Sequence, residues 1–377
     1  MKFAIEAKSD LARSGILSTR HNDIPTPVFM PVGTRGAVKT VSGEELESLG
    51  AKLILANTYH LYLRPGPETI QRLGGLHKFA GWNGSYLTDS GGYQVFSLKT
   101  LNKVDDGGVS FQSHIDGSRH RFTPVDVVNI QVALGADFIM PLDVCTTYPA
   151  EEKASNSDML RTVKWAIESF EHLRGIEGAE ENQALFAIVQ GSIYVEQRHA
   201  CLESLLRLNP SGLSVGGLAV GEPKEDRMRV LTETLPHYPE HLPRYLMGVG
   251  TPEDIFEAVE LGIDMFDCVM PTRNARNGTL FTRFGKMIIK SARFIEDGNP
   301  VDTECQCPAC RRYSRAYIRH LLSVGEILGL RLATLHNLHF YLDMMEQIRR
   351  SIMNDKFAEF KTNFLSDFAR GVEELQC

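Results

Sequence analysis

The sequence predicts an α/β protein, a (β/α)8 TIM barrel that carries a β-hairpin insertion and ends in a second, smaller subdomain. Three observations lead to this prediction. Short apolar segments of strand character alternate with amphipathic helical patterns up to about residue 280, which is typical of a buried parallel sheet. One segment with an Asp-Gly turn interrupts this alternation. Beyond residue 280 the alternation stops, and three cysteines occur within six residues.

Eight segments are predicted as barrel strands. They are residues 26–33, 52–57, 85–89, 137–143, 184–190, 212–218, 244–250 and 264–270. The helices predicted between them include residues 124–134, 151–173, 194–207, 222–234 and 252–261. Ser42 and Glu45 match a capping box, which predicts a further helix after the first strand. Eight such units favour a closed barrel, and an open doubly wound sheet is the alternative.

The insertion and the second subdomain follow from breaks in this rhythm. An alternating segment at about residues 105–123, after the third strand, has the hairpin turn Asp-Gly at 116–117. Residues 285–294 resemble a further strand, and helical patterns follow the cysteines. We therefore predict a barrel over residues 1–280 and a basic, mainly helical subdomain packed on it over residues 281–377.

Composition favours a protein of the cytoplasm. The N-terminal segment MKFAIEAKSDLARSG is charged and has no apolar core, unlike a signal peptide. No apolar run reaches the roughly 18 residues of a membrane-spanning helix. An odd count of seven cysteines without a secretion signal indicates a reducing compartment. We therefore expect a cytoplasmic protein with no membrane contact.

The charges are unevenly distributed along the chain. The net charge is −7, but residues 271–320 contain ten Lys or Arg and four Asp or Glu, a balance of +6 that leaves −13 for the rest. A basic segment on an acidic chain predicts local contact with a polyanion such as nucleic acid. An uneven solvated surface is an equally good explanation of the charges alone.

Polar residues occupy the carboxyl ends of several predicted strands, the edge at which TIM barrels carry out chemistry. Asp89 follows the third strand in TDSGG, Asp143 ends the fourth in PLDVC, and Gln190 ends the fifth in IVQGS. Two glycines at 216–217 end the sixth, and Asp267 lies in the eighth. One such Asp is usually a helix cap or turn former, whereas the set as a whole predicts a single pocket.

This combination of groups fits a reaction at the glycosidic bond of a purine nucleotide. Two carboxylates flanking a sugar carbon are the usual means of cleaving such a bond. A further carboxylate accepts from N1 and N2 of guanine, while a Gln amide and a backbone N–H donate to O6. Two successive glycines let the ring approach the main chain closely. A tight strand-to-helix turn is the alternative explanation of the glycines.

The motif CQCPAC predicts a structural zinc site. Cys305, Cys307 and Cys310 have the spacing C-x-C-x2-C, and His336 and His339 follow in TLHNLHF. Three thiolates and one imidazole surround zinc as a tetrahedron without an open position. The spacing alone leaves His336 and His339 as alternative fourth ligands.

The cysteine motif leads directly into the basic segment RRYSRAYIRH. Arg311, Arg315 and Arg319 recur every four residues, which places them on one face of a predicted helix with Arg312 beside it. Such a face favours contact with a nucleic-acid backbone.

Seven motifs in the same order resemble those of bacterial tRNA-guanine transglycosylases. They are TDSGGYQVFSL, DVCTTYPA, IVQGS, VGGLAVGE, YLMGVG, DMFDCVMPTRNARNG and the cysteine cluster with its histidine, from about residue 29 to about residue 340. The resemblance implies exchange of guanine at the anticodon wobble position of tRNAs with GUN anticodons. The incoming base would be prequeuosine 1 (7-aminomethyl-7-deazaguanine), a step of queuosine biosynthesis. The exchange would proceed by double displacement through a covalent enzyme–tRNA intermediate.

The resemblance also implies a role for each matching residue. Asp267 would be the nucleophile and Asp89 the general acid/base, although the residues alone do not decide which of the two attacks. The implied base-binding residues, in which Tyr93 and Met247 sandwich the ring, are Asp89, Ser90, Tyr93, Asp143, Gln190, Gly216, Gly217, Leu218 and Met247. The implied RNA contacts are Arg273, Arg276, Arg311, Arg312 and Arg315. The implied zinc ligands are Cys305, Cys307, Cys310 and His336.

Two residues near the predicted base-binding site bear on the choice of substrate. Cys145 and Val220 match the bacterial pattern, which implies prequeuosine 1 rather than queuine. A homodimer is expected, because one small active-site patch would hold little of a tRNA and the family is often dimeric.

Two other functions are the alternatives. A metal-assisted (β/α)8 hydrolase would need an open metal site at the strand ends. A non-catalytic RNA-binding subunit would lack the pair Asp89 and Asp267.

Overall fold

The computed structural model describes residues 1–97 and 102–371. In these ranges the strands are, in chain order, β1 (Lys2–Ser9), β2 (Ala12–Ser18), β3 (Asp23–Thr26), β4 (Val28–Pro31), β5 (Leu53–Ala56), β6 (Ser85–Thr88), β7 (Asn102–Asp105), β8 (Gly108–Gln112), β9 (Arg119–Phe122), β10 (Phe138–Ile139), β11 (Ala184–Val189), β12 (Gly212–Val215), β13 (Arg244–Leu246), β14 (Met265–Cys268), β15 (Thr279–Thr282) and β16 (Gly285–Ile288). Two short 3-10 helices are Leu235–His237 and Ala292–Phe294.

The α-helices of the described ranges lie mainly between the barrel strands and after them. They are α1 (Gly43–Ser48), α2 (Thr58–Leu63), α3 (Pro67–Arg72), α4 (Gly75–Ala80), α5 (Gly92–Ser97), α6 (Pro124–Leu134), α7 (Glu152–Arg174), α8 (Ala179–Asn182), α9 (Val195–Leu206), α10 (Lys224–Thr234), α11 (Pro252–Glu260), α12 (Met270–Asn277), α13 (Arg315–Val324), α14 (Ile327–Met353) and α15 (Phe357–Ala369). No helix among them is both long enough and apolar enough to cross a membrane.

Eight strands of the described chain form one parallel sheet in the order β4-β14-β13-β12-β11-β10-β6-β5. The two end strands meet, because Val32 forms a parallel bridge with Leu55 and the Gly33 N–H donates to the Leu55 carbonyl over 2.7 Å. The sheet therefore closes into the predicted barrel, and the open-sheet alternative is wrong.

The barrel interior is packed with large apolar side chains. They include Met30, Leu53, Leu55, Leu87, Phe138, Met140, Phe186, Ile188, Tyr245 and Met265. This filling is typical of TIM barrels, in which chemistry takes place above the packed layers at the carboxyl ends of the strands.

Every barrel strand lies within its predicted segment and is shorter than that segment. The fourth, predicted over 137–143, keeps only the two residues of β10. The Met140 N–H donates instead to Oε1 of Gln131, and the Val144 N–H donates to Oγ1 of Thr162. These side chains of α6 and α7 draw the chain out of the sheet, so that Asp143 lies on an irregular segment just above the barrel.

The predicted helices are present with boundaries within about two residues. The capping box before α1 is also present, because the Glu45 N–H donates to Oγ of Ser42 and the Ser42 N–H donates to Oε2 of Glu45. This local signal therefore marks where α1 begins.

The predicted hairpin insertion is confirmed and is larger than predicted. Strands β8 and β9 pair antiparallel, and the Gly117 N–H donates to the Ser113 carbonyl in the turn between them. Strand β7 pairs with β8, which makes the insertion a three-stranded sheet.

An N-terminal three-stranded antiparallel sheet, β1-β2-β3, was not predicted. It lies at the amino-terminal end of the barrel, where Arg13 of β2 forms a buried ion pair with Asp264 over 2.6 Å. The same guanidinium donates to the carbonyls of Glu240 and Leu242. Arg13 thus ties this sheet to the segments that lead into β13 and β14.

The C-terminal region has a small core of its own, which includes Phe294, Cys307 and Leu322. Helix α14 contributes Leu332 to this core and Tyr341 to the barrel core, so it joins the two. Of the strand predicted over 285–294, only β16 forms.

Arg311 was predicted to share one helical face with Arg315 and Arg319, and this prediction is wrong because Arg311 is not in a helix. This residue lies in a turn after Cys310, and α13 begins only at Arg315, where the Oγ of Ser314 accepts from the Tyr317 N–H. The boundary predicted at residue 280 falls within β15 and stays a prediction.

Candidate active site at the carboxyl ends of the barrel strands

A cavity of about 380 Å³ opens at the carboxyl end of the barrel. Side chains from most of the barrel strands line it. The predicted catalytic and base-binding residues all belong to this lining, namely Asp89, Ser90, Tyr93, Asp143, Gln190, Gly216, Gly217, Leu218, Met247 and Asp267. The fold thus brings together residues that are far apart in the sequence.

Asp89 follows β6 and is held by three donors. Its Oδ1 accepts from the N–H groups of Thr58 (2.9 Å) and Gly91 (3.2 Å), and its Oδ2 accepts from the amide of Asn57. Burial raises the pKa of Asp89 to about 7 against the effect of these bonds, and the charge of Asp267 adds to the rise. Both protonation states are therefore populated near neutral pH, as proton transfer in both directions requires.

Asp267 lies at the end of β14 and is fixed through one oxygen. Oδ1 accepts from the hydroxyl of Tyr245 (2.6 Å) and from the N–H of Gly248 (2.8 Å). Burial raises the pKa of Asp267, while these two bonds favour the carboxylate. Because both donors use Oδ1, an attack on an electrophile would come from Oδ2.

Asp143 is buried between two neutral side chains. Its Oδ1 accepts from the hydroxyl of Ser90 (2.9 Å) and its Oδ2 from the amide of Gln190 (2.8 Å). Burial raises its pKa, and these bonds only partly offset the effect. A buried carboxylate in this setting gains from further N–H donors, such as those on the edge of a guanine-type base.

The glycine pair lies against Gln190. A Cβ at Gly216 would lie 2.6 Å from the amide nitrogen of Gln190, and a Cβ at Gly217 would collide with its Oε1. Gly217 also has φ of +65°, a conformation that favours glycine. The main chain can therefore approach Gln190 and the cavity only because side chains are absent here.

The remaining cavity wall is more apolar. Tyr93 is 58% exposed, Met247 is half-buried and Leu218 is buried. Cys145 and Val220 also line the cavity. A flat apolar ring inserted here would have side chains of this kind to stack on.

The four residues of the predicted zinc site also lie close together in the structure. The Nδ1 atom of His336 lies 3.7, 3.6 and 3.2 Å from the sulfurs of Cys305, Cys307 and Cys310. Ligands at ordinary Zn–S and Zn–N bond lengths in a tetrahedron are about 3.6 Å apart, so the set fits one metal ion. Nε2 of His336 lies 2.6 Å from the carbonyl of Phe281. That bond leaves Nδ1 to face the thiolates.

His339 is a neighbour of this cluster rather than part of it. Its Nδ1 lies 3.5 Å from the sulfur of Cys305, but the set of four mutually close ligand atoms contains His336. Within the described chain, the other set that could hold a metal is His21, His77 and Asp137. Asp137 precedes β10, at the opposite end of the barrel from the cavity. Neither set provides the strand-end metal site that the hydrolase alternative needs.

The predicted RNA-binding arginines differ in their surroundings. Arg273 is exposed on α12, and Arg276 on the same helix has a buried Nη1 atom without a hydrogen-bond partner among the described residues. Arg311 and Arg312 are exposed in the turn after the cysteines. The guanidinium of Arg315 instead forms an ion pair with Asp297 over 3.0 Å and donates a hydrogen bond to the Val301 carbonyl.

Several residues that shape the site were missed in the sequence. Tyr245 and Asn57 fall within the predicted strand segments 244–250 and 52–57, and Thr58 has no predicted role. Arg198, which donates to the Gly216 carbonyl over 2.9 Å, falls within the predicted amphipathic helix 194–207. The sequence signal for Asn57 was available, because Asn directly before a helical pattern is a typical N-cap, and it does cap α2.

Comparison with known proteins agrees with these features. The family model described as Queuine tRNA-ribosyltransferase matches residues 8–370. A queuine tRNA-ribosyltransferase of Thermoanaerobacter sp. (strain X514) is 52% identical over 357 residues, which cover 95% of this chain and 94% of the relative. That of Caldanaerobacter subterraneus subsp. tengcongensis is 52% identical over 365 residues, 96% of each chain. That of Fusobacterium nucleatum subsp. nucleatum is 50% identical over 368 residues, covering 97% and 98%. The chain belongs to the queuine tRNA-ribosyltransferase family.

Proposed function

We propose that this protein is a tRNA-guanine transglycosylase, a pentosyltransferase that exchanges guanine at the wobble position of tRNAs with GUN anticodons for prequeuosine 1. The observation that carries the proposal is the arrangement of three carboxylates in one cavity, of which Asp143 is buried and Asp89 and Asp267 are half-buried. Asp143 lies with Ser90 and Gln190 as a base-recognising group, and Asp89 and Asp267 are the two groups available for chemistry.

Recognition of the base would use its hydrogen-bonding edge. The carboxylate of Asp143 accepts from N1 and N2 of guanine, and the second amide hydrogen of Gln190 and the N–H of Gly217 donate to O6. Tyr93 and Met247, both in the cavity lining, stack on the two faces of the ring. The reactive nucleotide reaches this depth because the anticodon loop is single-stranded and its bases can be splayed out.

The chemistry would proceed in two displacements. Oδ2 of Asp267 attacks C1′ of the ribose, the bond from C1′ to N9 of guanine breaks, and Asp89 gives its proton to the departing base. The incoming base then returns a proton from its own N9 to Asp89, and this nitrogen displaces Asp267 from C1′. Two inversions give net retention, and the kinetics are ping-pong. The raised pKa of Asp89, about 7, supports its use as acid and then as base.

The choice of prequeuosine 1 over queuine rests on the cavity wall. Val220 and Cys145 both line the cavity, and Val220 carries two methyl groups where a smaller residue would leave space. The aminomethyl group of prequeuosine 1 is much smaller than the substituent of queuine. We therefore expect queuine to be a poor substrate.

The Cys3His cluster would hold one structural zinc ion. Its four ligands leave no position for a water or substrate, and it lies apart from the cavity. When bound, the ion links the cysteine loop to α14 and, through the bond from His336 to Phe281, to β15. It would thereby fix the position of the basic turn that contains Arg311 and Arg312.

The anticodon strand would follow the basic surface next to Asp267. Helix α12 begins at Met270, three residues after Asp267, and this closeness supports contact of Arg273 and Arg276 with the nucleotides beside the attacked one. The Nη1 atom of Arg276 has no hydrogen-bond partner among the described residues, which supports a role in binding an acceptor from the RNA. Arg311 and Arg312 would meet the phosphate backbone, whereas Arg315 would act mainly through Asp297. A cytoplasmic location follows from a tRNA substrate.

A homodimer is part of this proposal. Large apolar side chains are exposed around the junction of α13 and α14, namely Tyr317, Val324, Ile327 and Leu328. A patch of this kind favours association, and a second copy would extend the surface available to a tRNA. Sedimentation of the wild type and of Ile327→Glu tests it, and a wild type that remains monomeric at micromolar concentration would overturn it.

Incorporation of labelled guanine into tRNA tests the function directly. The purified protein should label a tRNA with a GUN anticodon and should not label the same tRNA with adenine at the wobble position. Unlabelled prequeuosine 1 should chase the guanine irreversibly, and queuine should not. Failure to label any GUN tRNA would contradict the proposal.

A further inference from the structure

Arg198 is a fully buried cation behind the cavity wall. It lies on α9, and its side chain is among the largest fully buried ones. Burial of a guanidinium is costly in free energy unless its N–H groups find acceptors. The acceptors here are three main-chain carbonyls rather than a carboxylate. They belong to Ser192 (Nε, 2.7 Å), Val189 (Nη1, 3.2 Å) and Gly216 (Nη2, 2.9 Å).

These three carbonyls surround the base-reading groups. Val189 and Ser192 stand on either side of Gln190 in the chain, and Gly216 precedes Gly217 at the end of the neighbouring strand. One rigid planar guanidinium therefore ties the main chain on both sides of Gln190 to the glycine pair. The two strands are also paired directly, because the Gly216 N–H donates to the Val189 carbonyl over 3.1 Å, and Arg198 adds a second tie just beyond this pairing.

The bond to Gly216 also determines the direction of an N–H group. A trans peptide is planar, with its C=O and N–H pointing to opposite sides. Because the carbonyl of Gly216 points back to Arg198, the N–H of Gly217 points away from it, towards the cavity that Gly217 lines. Two successive glycines would otherwise leave this peptide free to rotate. A charged donor on the carbonyl also polarises the peptide and strengthens its N–H as a donor.

We propose that Arg198 is a positioning residue for base recognition, which aims the N–H of Gly217 and the amide of Gln190 at one acceptor, the O6 atom of the guanine-type base. Arg198 does not touch the base. The inference rests on the proposed function, because it assumes that a guanine-type base occupies the cavity.

Arg198→Lys is the test variant, since lysine keeps the charge but cannot reach three carbonyls in fixed directions. Arg13→Lys is the matched control. Arg13 is also buried and donates to two main-chain carbonyls, but at the opposite end of the barrel. We expect Arg198→Lys to raise the KM for guanine about tenfold or more and to change the KM for tRNA less than about twofold. Arg13→Lys should lower thermal stability without moving either KM.

A base with a weaker acceptor at position six distinguishes a loss of aim at O6 from a general distortion of the active site. 6-Thioguanine keeps the N1 and N2 donors but has sulfur in place of O6. The wild type should bind guanine more tightly as judged by inhibition constants, and Arg198→Lys should lose most of this preference. An equal penalty on both bases, or equal changes in both KM values, would overturn the proposal.

A measurement on the wild type covers the case in which Arg198→Lys does not fold. With ¹⁵N-labelled glycine, the amide proton of Gly217 should move downfield when guanine binds and much less when 6-thioguanine binds. No movement with guanine would overturn the proposal. If wild-type protein exchanges guanine into tRNA but these results are negative, only the role of Arg198 fails. If the wild type exchanges no guanine, the proposed function itself fails.

Discussion

The hydroxyl of Tyr245 donates a 2.6 Å hydrogen bond to Oδ1 of Asp267 from the neighbouring strand of the barrel. Burial, and then the charge of Asp267, raise the pKa of Tyr245 well above its ordinary value, so the phenol remains a donor at any physiological pH. The N–H of Gly248 donates to the same oxygen. Asp267 is therefore a half-buried carboxylate whose orientation is fixed by groups that do not react.

Removal of this donor should slow the first displacement. Tyr245→Phe should lower the single-turnover rate of adduct formation about 10-fold to about 100-fold. This is the rate change that corresponds to the free energy of one hydrogen bond to a charged group. Loss of the bond should also raise the pKa of Asp267, so the rising limb of the pH profile should move to higher pH. Tyr238→Phe is the control, because the buried hydroxyl of Tyr238 has no partner among the described residues. A Tyr245→Phe enzyme with wild-type rates would contradict this role.

Asp89 should produce a falling limb in the pH dependence of the first half-reaction. Its pKa is raised to about 7, mainly by burial, so the carboxyl is protonated below this pH and ionised above it. Departure of guanine needs the proton, and kcat/KM for tRNA should therefore fall about tenfold per pH unit above about pH 7. Measurements from about pH 5 to about pH 9 check this. A profile that stays flat to pH 9 would rule out Asp89 as the acid.

Asp143 should matter for the base and little for the RNA. Asp143→Ala removes the acceptor for N1 and N2 and should raise the KM for guanine about 10-fold to about 100-fold. The KM for tRNA should change less than about threefold. Asp158→Ala is the control, since Asp158 is hydrogen-bonded to Thr146 over 3.0 Å and does not line the cavity. An unchanged KM for guanine in Asp143→Ala would refute the base-recognition role.

Zinc should affect stability and not the chemical step. Wild type should contain one zinc ion per chain by mass spectrometry, and Asp267→Asn should contain the same amount. His336→Asn should lose zinc and unfold at a lower temperature, because binding of a structural metal contributes folding free energy. His339→Asn is the matched control and should keep its zinc. The opposite result for the two histidines would assign the fourth ligand to His339.

The barrel could be predicted because its signals are local. Strand segments, the capping box at Ser42 and Glu45 and the turn at 116–117 depend on neighbouring residues, and each appears in the structure. The N-terminal sheet was missed, although β1 alternates exposed and less exposed residues along KFAIEAKS. It is tied to the barrel by the ion pair of Arg13 with Asp264, two residues 251 positions apart. No short window of sequence contains such a pair.

The reacting groups of the site could be predicted, but not the groups that hold them. Asp89, Asp143 and Asp267 stand out because carboxylates at apolar strand ends are unusual. Tyr245 and Arg198 do not stand out, because aromatic residues are common in strands and arginines on helices. Their roles arise only when neighbouring strands bring Asp267 and Gly216 within hydrogen-bonding distance.

We assign the attack on the ribose to Asp267 and the transfer of the proton to Asp89. Each enzyme should be mixed with a GUN tRNA, quenched in denaturant and run on a denaturing gel, with the adduct located by peptide mapping. Wild type should give an adduct on the peptide that contains Asp267, and Asp267→Asn should give none. An adduct that persists in Asp267→Asn, or one that maps to the peptide containing Asp89, would contradict the assignment.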